Sequence, residues 1–490
     1  MISQRRILLA LVLNIVVSSA FVTVAATGTA NRSRTATKSI QSGDQYLVGF
    51  NGASLPKDLS RRISNLGGEM VEVFPEINVV LVRNLTESAA AALAAQPDVA
   101  DVTSDEPVLA TDTFRSRRVG TIQPVSSFSS LINPENASWF PYQWNLRVIG
   151  ADRAWQAGYL GSRDVKIAVI DTGIDPTHPD LARLIDTAHS KSFCPGEDVL
   201  VQQAFPGYPA WTDLYGHGTW VASIAASEGE KLASVSSRTS IIALKGTGIV
   251  PCPRSSIVSA IYYAANNGAD VINMSLADHI SYPKAGQKGL FLYTETFIRY
   301  ALRRGVSAVV VAAGNSALDL DHNGNGFIRY CDEPGVICVS ATGPTDSGPN
   351  FLGPFVDIDS PAFYTNFGSS AIDVAAPGGN LSFDSSGNIA GLGLVWGACA
   401  GTDREIDTNG NLVPGFCSSH GYDLLGNIGT SAAAPHVSGL AALLVGKLGH
   451  GQAAQIRAAI ENSADDLGKP GVDPFYGRGR INVARALAIP

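Results

Sequence analysis

Charge is scarce in this chain of 490 residues: Asp, Glu, Lys and Arg together make up 16% of it, and the formal balance is −8. The basic residues are scattered, so there is no electrostatic footprint for nucleic acid or an anionic membrane, and neither is expected as a partner. Long apolar runs are as rare. After Val24 no segment is long enough to span a bilayer. Cysteine is limited to six residues with no CxxC spacing, which speaks against a thiolate metal site. What is present is an ordinary globular composition, 45% hydrophobic, enough to bury a large core in two or three folding units.

Arg5 and Arg6 precede a nearly continuous apolar run, Ile7 to Val24, that ends in small residues. This reads as a secretory signal peptide over residues 1–26, cut after Val24-Ala25-Ala26 or after Ser18-Ser19-Ala20, with an uncleaved anchor as the competing reading. The product is expected to be secreted and free of the membrane once the signal is removed. In an exported chain the even set Cys194, Cys252, Cys331, Cys338, Cys399 and Cys417 favours disulfides. Cys331 with Cys338 and Cys399 with Cys417 are the close pairs, leaving Cys194 with Cys252, but six cysteines allow many connectivities and the choice stays open.

Residues 45–110 read as a small α+β unit: a strand Tyr46 to Phe50, a helix Leu55 to Leu66, a strand Ile77 to Val82, a helix Ala89 to Ala95 opened by Thr86, and a short strand Val99 to Val102. Residues 111–141 turn to Ser, Thr, Pro and Arg, with the basic cluster Arg115 to Arg118, and read as a linker with a processing region. The cut is open between Ala110 to Thr113 and the peptide bond after Arg118. From 142 to 490 short apolar runs alternate with helical spacing. Val165 to Ile170, Ser240 to Leu244, Val271 to Met274, Ala308 to Ala312, Val336 to Val339 and Ile372 to Ala375 are strands apolar on both faces, and Ser255 to Asn267, Tyr293 to Arg304, Ser431 to Leu448 and Ala453 to Ser463 are helices. The fold class is α/β, a doubly wound, mostly parallel sheet whose ligands bind at the carboxyl ends of the strands.

Three segments then stand out in order: Asp171-Thr172-Gly173 after a buried strand, Gly216-His217-Gly218-Thr219, and Gly429-Thr430-Ser431 with Ala434-Pro435-His436 behind it. An acid, a base and a hydroxyl far apart in sequence can converge in a fold, where the base takes the hydroxyl proton, the acid orients the imidazole, and the oxygen attacks a carbonyl. Ser431 opens an apolar helix and so meets unsatisfied N–H groups and a positive dipole, and Pro435 fits best near the start of that helix.

Together with Ala168 to Asp175, His178 to Leu181 and Val221-Ala222, these segments resemble the subtilisin-like serine peptidases over about Tyr142 to Ala488. The resemblance implies a serine endopeptidase in which Asp171 orients, His217 is base and acid, Ser431 is the nucleophile and Asn315, in Ala312-Ala313-Gly314-Asn315, stabilises the oxyanion. No cofactor is implied for the chemistry. Protein or peptide substrates would add as a strand beside Ser275, Leu276 and Ala277 and beside Ala312, Ala313 and Gly314. Ala277 stands where the family usually has glycine and Ala432 where methionine is common, which unsettles the side-chain preference. Residues 45–110 resemble the family's ferredoxin-like propeptide, implying an intramolecular inhibitor and a self-processing precursor. A monomer is expected.

The family often binds structural calcium, and Asp180 matches one of its ligands, but Ser227 to Lys231 replaces the rest of that site. A separate calcium candidate is Asp321, Asn323, Asn325 and Asp332, at positions one, three, five and twelve around Gly326 in the manner of an EF-hand; a polar surface loop is the alternative. Asp407 to Asn411 is a weaker echo. Two rivals are a nucleotide-binding α/β protein, which would need a glycine-rich phosphate loop after Val165 to Ile170 and lacks one, and a catalytically silent subtilase-like binding protein.

Overall fold

The computed structural model describes residues 44–110, 119–121, 133–281, 288–322 and 326–489. The proposed signal peptide lies outside them, as does most of the linker. The N-terminal unit runs β1 (Tyr46–Phe50), α1 (Leu59–Asn65), β2 (Glu69–Phe74), β3 (Val79–Arg83), α2 (Glu87–Ala94) and β4 (Val99–Ser104). Its antiparallel sheet has the order β2-β3-β1-β4, a split βαβ arrangement. Thr86 opens α2 by accepting from Ala89 N at 3.2 Å. The strand β2 has no counterpart in the sequence reading, because its burial alternates and its charged Glu69 and Glu72 leave too weak an apolar signal.

Two short strands follow, β5 (Pro107–Val108) and β6 (Val119–Thr121), and then α3 (Trp144–Val148), α4 (Ala151–Gln156), β7 (Lys166–Asp171), β8 (Lys191–Ser192), α5 (Pro195–Ala204), α6 (His217–Ala225), β9 (Ser240–Lys245), β10 (Cys252–Pro253), α7 (Ser255–Asn266), β11 (Val271–Met274), β12 (Asp278–Ser281), α8 (Lys288–Arg303), β13 (Ala308–Ala312), β14 (Gly326–Arg329), β15 (Ile337–Thr342) and β16 (Val374–Pro377). The C-terminal part adds β17 (Asn380–Phe383), β18 (Ile389–Gly393), β19 (Val395–Ala398), β20 (Arg404–Ile406), β21 (Leu412–Pro414), α9 (Phe416–His420), β22 (Leu424–Asn427), α10 (Thr430–Leu448), α11 (Ala453–Asn462) and α12 (Val483–Ala486).

Seven of these strands make one parallel sheet, β16-β15-β13-β11-β7-β9-β8. Both faces are covered, which is why its strands are apolar throughout. Ile167, Val169, Val271, Val310 and Val339 face the layer that holds α6 and α10. Their neighbours Ala168, Ile170, Ile272, Val309 and Val311 face α7 and α8. Leu47, Phe74, Val79 and Leu81 of the N-terminal sheet join this second layer. Truncating one such buried Ile to Ala costs about 2–5 kcal/mol, so the sheet is a rigid platform for whatever its strand ends carry.

The cysteines pair as Cys194–Cys252, Cys331–Cys338 and Cys399–Cys417. Among the described residues no helix is long and apolar enough to cross a membrane.

Candidate active site

Asp171 is the last residue of β7 and is fully buried. Burial on both sheet faces brings its carboxylate to the end of the platform with few protein partners: Oδ1 accepts from Thr172 N at 2.7 Å and meets His217 Nδ1 at 2.7 Å. A carboxylate so placed holds the imidazole with the proton on Nδ1, leaving Nε2 as the base. His217 is the first residue of α6, a helix the sequence reading lacked because its run of Gly, Thr and Ala has little periodic contrast. The imidazole keeps 16% of its surface accessible, enough to meet a substrate. Gly218 permits the close approach of the two segments, since a Cβ there would lie 2.1 Å from the Gly173 carbonyl oxygen.

Ser431 is the second residue of α10, which packs against α6. Its hydroxyl points to the Ser275 carbonyl at 3.3 Å. Pro435 sits in the second turn of α10. Without an N–H it cannot bond the Ser431 carbonyl four residues back. That carbonyl instead accepts from Ser275 Oγ at 2.9 Å, and Asn273 Nδ2 supports Ser275 Oγ at 3.0 Å. The Ser431 segment is thereby tied to the end of β11.

Asn315 follows β13. Its Oδ1 accepts from Thr430 N at 2.9 Å and from Thr430 Oγ1 at 2.7 Å, which assigns Nδ2 as the free donor end. Gly429 shows where that donor is aimed: a Cβ on it would lie 3.5 Å from Asn315 Nδ2 and 3.6 Å from Ser431 N. Two N–H donors thus border one small open space beside the Ser431 side chain, an arrangement able to stabilise an oxyanion.

Ser275, Leu276 and Ala277 follow β11, while Ala312 closes the neighbouring β13 and Ala313 and Gly314 follow it. The two segments face each other closely enough that a Cβ on Gly314 would be 3.3 Å from the Ala277 methyl. The methyl therefore borders the space between the expected substrate strands.

The sequence reading missed Asp213, four residues before His217. Its fully buried carboxylate accepts from Thr172 Oγ1 (2.9 Å), Tyr215 N (2.9 Å), Gly216 N (2.8 Å), Thr219 N (3.0 Å) and Thr219 Oγ1 (2.7 Å). It knits the aspartate segment to the histidine segment, and burial pushes its carboxyl above the ordinary range. An acidic residue just upstream of Gly-His-Gly-Thr was the available signal. Beneath them Lys245, paired in register with Asp171, forms a buried ion pair with Glu197 at 3.1 Å.

These features sit inside a recognisable whole. A profile of the subtilase family, peptidase family S8, matches residues 162–479. The chain belongs to the subtilase family. As a subtilase it is a serine endopeptidase, in line with its relatives: the thermophilic serine proteinase of Bacillus sp. strain AK1 is 31% identical over 370 residues, covering 72% of this chain and 70% of that protein. Subtilisin E of Bacillus subtilis strain 168 is 28% identical over 453 residues and 90% of each chain. Among solved structures, the epidermin leader peptide processing serine protease of Staphylococcus aureus superposes with a TM-score of 0.64 at 22% identity, over 91% of this subtilase and 98% of that chain. Fervidolysin of Fervidobacterium pennivorans gives 0.60 at 22% identity, over 91% of this chain and 61% of its own.

The residues named for calcium are only partly described. Asp180 Oδ1 accepts from Ser227 Oγ (3.2 Å), Glu230 N (2.9 Å), Lys231 N (3.0 Å) and Leu232 N (3.4 Å), while its buried Oδ2 has no hydrogen-bond partner among the described residues. Asp321 is likewise engaged, accepting from Ser369 N at 2.7 Å and from Ser370 N and Oγ at 3.1 and 2.5 Å. Asn323 and Asn325 lie outside the described residues, and Asp332 lies in the turn beside Cys331. No cluster of three His, Cys, Asp or Glu able to hold a metal occurs among the described residues.

Proposed function

We propose that this subtilase is an exported endopeptidase made as a self-processing precursor, with Asp171, His217 and Ser431 as its catalytic triad. The observation that carries the triad reading is the 2.7 Å contact between buried Asp171 and the Nδ1 of His217. His217 Nε2 takes the Ser431 proton as Oγ attacks the substrate carbonyl. Asn315 Nδ2 and Ser431 N stabilise the oxyanion, the imidazolium returns its proton to the leaving amine, and water resolves the acyl-enzyme by the same route.

The precursor reading is supported by how residues 44–110 sit on the peptidase. The β1–β3 face packs on α7 and α8, with Phe74 edge-on to Phe297 at 4.8 Å. Glu72 accepts from Ser259 Oγ and Glu76 from Tyr262 OH, both at 2.6 Å. Asp105 caps α7, accepting from Ser255 N at 2.7 Å where the chain preceding the helix offers no side-chain cap of its own. A unit that completes a helix of the enzyme fits a role in folding and in occupying the cleft. Export is supported by the apolar run at residues 7–24 and by the three disulfides.

A fluorophosphonate probe tests the catalytic claim. The expected result is a single adduct on Ser431, and a Ser431→Ala chain that accumulates as unprocessed precursor. A wild-type chain that takes no label and is processed no further than Ser431→Ala overturns it.

A further inference from the structure

Two segments of the chain, one ending at Ala110 just before the linker and one within it at Val119–Thr121, pair with the peptidase near Asp171 and on the strand that leads into Ser431. On one side β5 pairs antiparallel with β10, and Ala110 N donates to Gly248 O at 3.2 Å. Gly248 is one residue past Thr247, whose N–H bonds the Asp171 carbonyl. On the other side β6 pairs antiparallel with β22, matching Val119 to Gly426, Gly120 to Leu425 and Thr121 to Leu424. β22 runs directly through Ile428, Gly429 and Thr430 into Ser431. Because the pairing is antiparallel, Val119 lies at the end of β22 nearer the nucleophile and the chain runs away from it toward Thr121. That is the direction taken by residues downstream of a scissile bond.

β22 is well built for this. Leu424 and Leu425 are buried in the core, and its inner edge pairs with β19. β19 is held by the histidine helix, since Ala398 N donates to Ser223 Oγ at 2.8 Å. Cys399–Cys417 closes the excursion that leads from β19 back to β22. The outer edge is then a fixed row of peptide donors and acceptors, which pairs with any extended backbone.

We infer that the outer edge of β22 is a docking strand for the leaving-group side of polypeptide substrates, and that Val119–Thr121 is the chain's own segment seated there. The inference rests on the peptidase reading above. Gly426 is five residues from Ser431, roughly 16 Å of extended chain, so the edge engages substrate residues about five positions beyond the cut. The enzyme would favour long polypeptides over short peptides, and its own linker would compete with them.

The test uses processed enzyme and peptides of one acyl side carrying two or eight leaving-side residues. The eight-residue peptide is also made with N-methyl groups on its fifth to seventh leaving-side amides. kcat/KM is expected to rise about tenfold with length, chiefly through KM, and to lose that gain on N-methylation. Gly120→Pro, which weakens β6 without touching the catalytic residues, is expected to enlarge the gain for the long peptide and leave the short one unchanged. Equal kcat/KM for both lengths in wild type and Gly120→Pro, with the short peptide cleaved normally, overturns the inference alone. Failure to cleave even the short peptide overturns the peptidase reading and this inference with it.

Discussion

Asp213 does at the scale of a residue what Asp171, His217 and Ser431 cannot do alone. His217 reaches Asp171 only if the segment Asp213 to Thr219 is held against Thr172, and both oxygens of one buried carboxylate do the holding. Asp213→Asn preserves volume but replaces an acceptor oxygen with a donor facing N–H groups. The histidine segment should shift by a fraction of an ångström, and kcat/KM should fall on the order of 10²-fold, with the fall mainly in kcat. Steady-state kinetics on a short peptide check this; a variant within twofold of wild type would remove Asp213 from the positioning scheme. Asp213 was hidden from the sequence reading because nothing in Asp-Leu-Tyr-Gly states that the aspartate folds back under the histidine.

At the scale of elements, α10 carries both Ser431 and a buried histidine that bears on stability. His436 is fully buried on it, with Nδ1–H donating to the Ala432 carbonyl at 2.7 Å and Nε2 accepting from Asn145 Nδ2 at 2.8 Å. Burial pushes its pKa down from 6.5 to about 4. The folded value lies below the unfolded one, so the unfolded chain binds the proton first as pH falls. The stability this confers is complete above pH 6.5 and is lost progressively between 6.5 and about 4, by roughly 3 kcal/mol in all. Urea unfolding at pH 7.5 and 4.5, compared between Ser431→Ala and Ser431→Ala/His436→Leu, should show this loss in the first chain only. An equal drop in both would reject the assignment. The element pattern itself was legible where contrast was strong: six of the seven parallel strands and α7, α8, α10 and α11 follow from apolar runs and helical spacing. The two-residue β8 and the low-contrast α6 were not, because each depends on a neighbour: β9 for β8 and Asp171 for α6.

On the scale of the whole molecule, the N-terminal unit and the peptidase share one packed layer, joined by Leu47, Phe74 and Leu81 on one side and Ile261 and Phe297 on the other. Asp105 adds direction to that apolar contact by completing α7. Asp105→Ala in the Ser431→Ala precursor should weaken docking by about 1–2 kcal/mol, the worth of a helix cap. Hydrogen exchange at the β1 and β3 amides should quicken accordingly. Unchanged exchange would make the cap irrelevant to docking.

Residue order alone determined that an acid, a base and a hydroxyl would lie at a strand end, beside glycines and at a helix start, because those local signals are written in short segments of the chain. It also determined the class of fold, since strands apolar on both faces require a covered parallel sheet. Tertiary structure alone decided that Asp213 would bind the histidine segment, that Asn315 would turn its amide to the space beside Ser431, and that Val119–Thr121 would pair antiparallel with β22. These depend on contacts between segments tens to hundreds of residues apart, which form only when burial of the shared core brings them together.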